Sequence, residues 1–382
     1  TPSEQAPDVI AYVDPKFKMP QVWRSNLNVD IQLPYDFMLS VGAMYTRDIY
    51  NVAQINMNEA EPTGVYNEQP DRIYWASKKY EYNDYTNGKN VVVKLSNGED
   101  KGYQYSFNAI LTKKYDFGFT GSIGYTYTMA KDLTANPGSA PNSAWQNNVA
   151  VNSLNDPGVS YSLFSTPHRI IANASYEINY AKCLKTTFSL FYSGYHTGRY
   201  SYTYYNDMNG DGNYSDLIYV PNSQDEMTFV DITDKSGAIT YSAVDQAKDF
   251  WDFVNNDSYL KDRKGKYVER NGSLTPWINR FDFKIAQDFY ATLGGRKYGI
   301  QVSLDMLNVG NMINSKWGAY QSCGLKSYDN VQLLKTASKV GEPLTYQINA
   351  NSREAFKERS SWQYTNTIGS AWSMQLGVKV TF

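Results

Sequence analysis

Runs of residues in which apolar and polar side chains alternate strictly recur along this chain, and they leave few folds open to it. In the first, Trp23, Leu27, Val29, Ile31 and Leu33 alternate with Arg24, Asn26, Asn28, Asp30 and Gln32. A strand built from them carries apolar groups on one face and charges or amides on the other. Similar runs cover 37–46, 103–111, 117–129, 168–178, 186–202, 279–289, 298–309 and 371–382. A soluble sandwich shows the same pattern, but seldom at such length. Strands of ~9–14 residues, tilted ~45°, cross a bilayer.

The connections between these runs alternate as strictly as the side chains. Short ones fall near 34–36, 113–116, 179–185 and 290–297. Long ones cover roughly 51–100, 132–166, 203–276 and 311–370. Tight turns on one side and long loops on the other are the asymmetry of outer-membrane barrels, whose turns face the periplasm. The expected fold class is therefore all-β: about nine antiparallel strands of a transmembrane β-barrel wall with long extracellular loops, placed in a bacterial outer membrane. The two edges of such a wall must pair with other strands, because unpaired backbone in lipid is prohibitive.

Composition agrees. The chain has 382 residues, with 34 Tyr, 16 Phe and 8 Trp among them. Rings with a polar edge suit a membrane–water interface. No run of ~18 apolar residues is present to build a spanning helix. A formal net charge of -2 and no basic cluster argue against nucleic acid as a partner. Two cysteines and two histidines are too few for a disulfide scaffold or an ordinary zinc site. The chain opens at Thr1 without a signal peptide or a starting Met, so a processed or truncated product of a longer precursor is expected. Within the third long connection, Val244, Ala247, Phe250, Trp251 and Val254 recur at helical spacing, predicting an amphipathic helix over 243–260, packed on the barrel mouth.

Particular segments carry a family resemblance. The end, from Trp372 through Met374, Leu376, Val378 and Val380 to Phe382, looks like the C-terminal signal of outer-membrane barrels. The stretch from Asp305 to Asn314 resembles the penultimate-strand motif of TonB-dependent receptors. Tyr202 to Pro221, Tyr259 to Gly272 and Pro276 to Phe289 are together similar to the Oar-like receptors of Bacteroidota. The resemblance covers most of residues 100–382 and implies a 22-stranded barrel with a plug inside it. Residues 1–382 would supply its C-terminal portion, with the plug and the first strands on a missing N-terminal barrel segment or a second chain. It implies import of a ligand, which the sequence does not identify, energised by the TonB complex acting through that segment. Outer-membrane lipid is the surrounding partner, and a surface lipoprotein is a further candidate partner. The rival readings are a barrel that serves as scaffold or surface-interaction protein without import, and a soluble β-rich domain that binds or hydrolyses glycans.

The sharpest local motif runs from Asp207 to Asp216. Asp207, Asn209 and Asp211 stand at positions 1, 3 and 5 of a calcium loop, with Gly212 at 6 and the Asn213 carbonyl at 7. Ile218 occupies position 12, where a bidentate acid is expected, and Asp216 is the candidate substitute. The role expected of calcium is structural. The competing reading is a polar turn, since Asn, Asp and Gly also dominate turns. His168 and His196 fall toward the outer ends of neighbouring strands, where a shared metal is conceivable and ordinary rim positions are expected. Residues 200–205, rich in Tyr, read as part of an outer aromatic girdle, with ligand stacking as the alternative. No nucleophile has a His-and-acid pattern near it, so no enzyme is expected.

Overall fold

The computed structural model describes residues 9–82, 91–214, 216–323, 326–327, 330–349, 356, 362–365 and 367–382. It is mostly β, with 51% strand and 10% helix, and is dominated by one antiparallel sheet. Nine long strands form its path in chain order. They are β1 (Gln21–Leu33), β2 (Phe37–Tyr50), β3 (Tyr103–Lys114), β4 (Phe119–Asp132), β5 (His168–Tyr180), β6 (Leu184–His196), β7 (Trp277–Leu293), β8 (Arg296–Leu307) and β9 (Ser373–Thr381). A two-residue strand, Ser160–Tyr161, adds to the end of β4 as a tenth member. The sheet does not close on itself. β1 pairs only with β2 and β9 only with β8 among the described residues.

Register carries the sequence alternation across the whole sheet. On one face Val29 stands opposite Val41, Val41 opposite Ala109, and Ala109 opposite Tyr125. The row continues through Ile170, and neighbouring rows join Leu190 to Phe283 and Leu304 to Leu376. On the other face Arg24, Asn28 and Asp30 are followed by Ser40, Asn108, Asn173, Lys284 and Asp305. Charges there pair with one another: Lys284 Nζ lies 2.8 Å from Asp305, and Lys185 lies 3.4 Å from Glu177 and 3.6 Å from Asp288. The apolar face stays uncovered in the isolated chain; Leu376 is 72% exposed and Val378 66%.

Aromatic rings gather at both ends of that face. Tyr115, Phe117, Phe119 and Tyr176 cluster at the end with the short turns. Trp23 with Tyr45, and Tyr105 with Tyr127, mark the other. The short turns use left-handed backbone at Tyr35, Asp36, Ala181, Lys182, Gly294 and Gly295. Gly118 has φ +97°, and a Cβ there would meet the Glu177 carbonyl at 2.3 Å, so this turn needs glycine.

The long connections are more than loops. Tyr66, Val149, Tyr202, Phe250, Leu333 and Ile348, drawn from all four of them, share one buried cluster. The main buried cluster is therefore built by the connections, with no residue of the nine strands in it. The helix forms at Ala243–Asn256, with the Ser242 side chain accepting from Asp245 N at its start. Phe250, Phe253 and Val254 are buried by it, whereas Val244 is exposed. It packs into this core.

Two expectations are corrected here. The run expected over 186–202 ends at His196; Arg199–Tyr204 forms a separate strand that pairs with Ser273–Leu274 and Asn330–Thr336. Tyr200, Tyr202 and Tyr204 on it are buried, the last with no exposed surface. They belong to the core of the loop layer, neither to a girdle nor to an open stacking surface.

Candidate functional site

The loop from Asp207 to Asp216 lies inside that layer, and it folds by short-range hydrogen bonds that its own sequence provides. Asp207 accepts from Gly210 N at 2.7 Å and from Gly212 N at 2.8 Å. Asn209 Oδ1 accepts from Asp211 N at 3.0 Å, and Asp211 Oδ1 from Asn213 N at 2.7 Å. Asp216 Oδ2 reaches back to Met208 N at 3.1 Å. Side-chain oxygens capping nearby backbone N–H groups are the ordinary engine of Asx turns. Gly210 and Gly212 have φ of +82° and +92°. Beyond the loop, Asn209 O accepts from Trp75 N at 2.7 Å, tying it to the first long connection.

All five residues singled out by sequence are thus brought into one loop, and Asn209, Asp211, Asn213 and Asp216 are buried. Their charges are unevenly balanced. Arg72, fully buried, stands 3.5 Å from Asp216. Lys79 acts on Asp207. Asp211 has no ion pair among the described residues. Burial first, then repulsion from Asp216 and Asp207, pushes its carboxyl well above the usual range. Burial likewise lifts Asp216 to about 7, against the pull of Arg72. The Tyr80 hydroxyl is buried and has no hydrogen-bond partner among the described residues. Desolvation and the nearby charges of Asp211, Asp207 and Glu59 raise it to about 12. Among the described residues no three His, Cys, Asp or Glu side chains are disposed to hold a metal ion. Any cation in this loop would depend on Asn and carbonyl oxygens as well as acids.

Sequence gave no sign of Arg72, Tyr80 or Glu59. Arg72 is 144 residues from the Asp216 it pairs with, and nothing in its neighbourhood marks it. Its guanidinium also donates to Leu217 O and lies 4.8 Å from the Tyr267 ring.

Each histidine has a partner of its own on the protein. His168 Nδ1 is 2.7 Å from the Tyr125 hydroxyl, and its ring packs 5.3 Å from Tyr127. His196 Nδ1 is 2.6 Å from Thr275 O and meets the edge of Trp277. Both stand on the apolar face, at the end that carries the long connections, as rim residues. A polar cavity of about 520 Å³ lies where the first two long connections meet, with Asp14, Gln54, Lys94, Asn97, Trp145 and Asn155 among its walls.

No family model matches this chain, and comparison with curated proteins and with solved structures finds no similar protein.

Proposed function

We propose that this chain is the C-terminal wall of an outer-membrane, TonB-dependent receptor that imports a ligand, with the loop layer shaping the entrance. One observation carries the reading. Across nine strands in register, one face is apolar and the other charged, with aromatic rings at both ends of the apolar face. A soluble sheet packs its apolar face on a core, whereas here the core lies elsewhere. Lipid is the partner for such a face. The open edges call for the remaining strands of a barrel, and energy coupling would reach this wall through them. The outer loop layer is where a surface lipoprotein would dock.

Import and scaffold readings separate in the native bacterium. Deleting the gene, or the inner-membrane energising complex, should leave the same compound unconsumed in the medium. A strain that lacks the gene and depletes the medium like its parent supports the scaffold.

We further propose that the loop of Asp207, Asn209, Asp211, Asn213 and Asp216 takes Ca²⁺ in a structural role. The sequence spacing and the unbalanced Asp211 charge support this; hard oxygen ligands are what this ion prefers. Millimolar calcium should protect the chain from cleavage near residue 210, and Asp211→Ala should remove the protection. Equal cleavage with calcium and with chelator leaves the polar turn as the whole explanation.

A further inference from the structure

A second cavity, of about 710 Å³, lies on the apolar face of the wall, in the size range of small-molecule sites. Tyr192 of β6 and Phe281 of β7 stand opposite each other in it, ring centroids 4.9 Å apart. They share the face of Leu190 and Phe283. Trp277 and Asn279 continue that face toward the long connections. The connection between β8 and β9 contributes Lys316, Trp317 and Tyr364.

Its polar side chains are those of Tyr192, Asn279, Asn314, Lys316, Gln321 and Tyr364. Trp277 Nε1 and the Tyr192 hydroxyl both donate to Asn279 Oδ1, at 2.9 and 2.7 Å. This orients the amide and leaves its Nδ2 hydrogens without a partner among the described residues. Among the described residues Lys316 is the only charged side chain lining the cavity. Its Nζ lies 5.7 Å from the Tyr364 ring and has no ion pair among the described residues. No carboxylate of the described residues lines the walls. An anion is therefore the complement of the polar end, and hydrocarbon the complement of the aromatic rings. Next to the cavity, the helix Gly310–Ile313 exposes Met312 and Ile313. Large apolar side chains exposed beside aromatic rings and a lysine are the pattern of a membrane interface.

We propose that this cavity holds one acylated lipid whose phosphate head group carries a net negative charge, drawn from the leaflet on the side of the long connections. Lys316 and Asn279 take the phosphate. Phe281, Trp277 and Trp317 pack the upper part of the chains, which continue along Leu190 and Phe283. The proposal rests on the membrane-wall reading above.

The test is native mass spectrometry of the detergent-purified protein, offered didecanoyl phosphatidylglycerol or didecanoyl phosphatidylcholine. One lysine near an anionic head group is worth about fivefold in binding. One phosphatidylglycerol should therefore be retained about fivefold more tightly than phosphatidylcholine. Lys316→Glu should erase the preference and Lys316→Arg preserve it. Trp317→Ala should weaken both lipids, with the circular dichroism spectrum unchanged in every variant. Equal retention of the two lipids, or a preference that survives Lys316→Glu, overturns the proposal. So does equally tight binding of glycerol phosphate, which has no chains. A wild-type protein that stays dispersed without detergent defeats the wall reading itself. One that needs detergent yet shows no preference defeats only the lipid site.

Discussion

Glu59 shows how a single carboxylate can be tied into the loop layer. It accepts from Ser153 at 2.6 Å and from Asn155 at 2.9 Å. Burial nevertheless outweighs these bonds and holds its carboxyl above the ordinary glutamate value. A folded-state value above the unfolded one means that the folded protein holds the proton more tightly. The associated stability is complete below the unfolded value and is lost as pH rises through the folded one. Thermal stability of the loop layer should thus increase as pH is lowered from neutrality toward the glutamate range. Glu59→Gln should flatten this trend while keeping one acceptor for the two donors. An unchanged slope between pH 5 and 8 in the variant assigns the effect to other groups. At this scale the sequence was legible only where partners are neighbours. The turn from Asp207 to Asp216 closes through residues two to eight apart. Arg72, which offsets the Asp216 charge, comes from a different connection, and no local pattern ties the two together.

Among the elements, the wall strands were readable because alternation with period two survives any partner that covers the apolar face. Their bounds shift by a few residues at most, except after His196. There Tyr200, Tyr202 and Tyr204 continue the same alternation, so the pattern could not tell lipid from a protein core. The helix was legible for the same kind of reason. Its period of 3.6 marks a buried face whatever lies against it, although Phe253, outside the marked set, is part of that face. Ser242→Ala removes the acceptor for Asp245 N and should cost about 1 kcal/mol. Phe250→Ala opens a cavity beside Phe229 and should cost about 3–5 kcal/mol. Pulse proteolysis reads both. Cleavage should rise within the long connections while β1–β9 stay resistant, because the core that is weakened lies outside the sheet. Uniform cleavage of wall and loops would show instead that the two melt together.

For the molecule as a whole, the two faces of the wall make opposite demands on the same substitution. Leu376→Arg puts a charge on the apolar face and should cost about 2–4 kcal/mol in a bilayer. Gln375→Arg, one residue away on the charged face, should be tolerated. Folding yield into lipid vesicles decides between them, and equal yields would mean that the faces are not lipid and lumen. The thiols report sidedness. They form no disulfide with each other; Cys183 is exposed in the turn between β5 and β6 and Cys323 is buried in the loop layer. An impermeant maleimide should label neither in intact cells, and Cys183 alone once the outer membrane is opened. Labelling of Cys183 in intact cells would invert the topology.

The count of wall strands has a consequence of parity. β1 runs from the loop layer toward the short turns, ending at Leu33 beside the turn at 34–36. β9 runs the same way, since Ser373 pairs with Leu307 and Thr381 with Gly299 next to the turn at 294–295. Nine is odd, so the two edges point in the same direction. Joined directly, they could meet only as a parallel pair. An antiparallel closure needs an odd number of intervening strands, whichever chain supplies them. The strand that lies against β1, and the one that lies against β9, must each run from the short-turn side up to the loop layer.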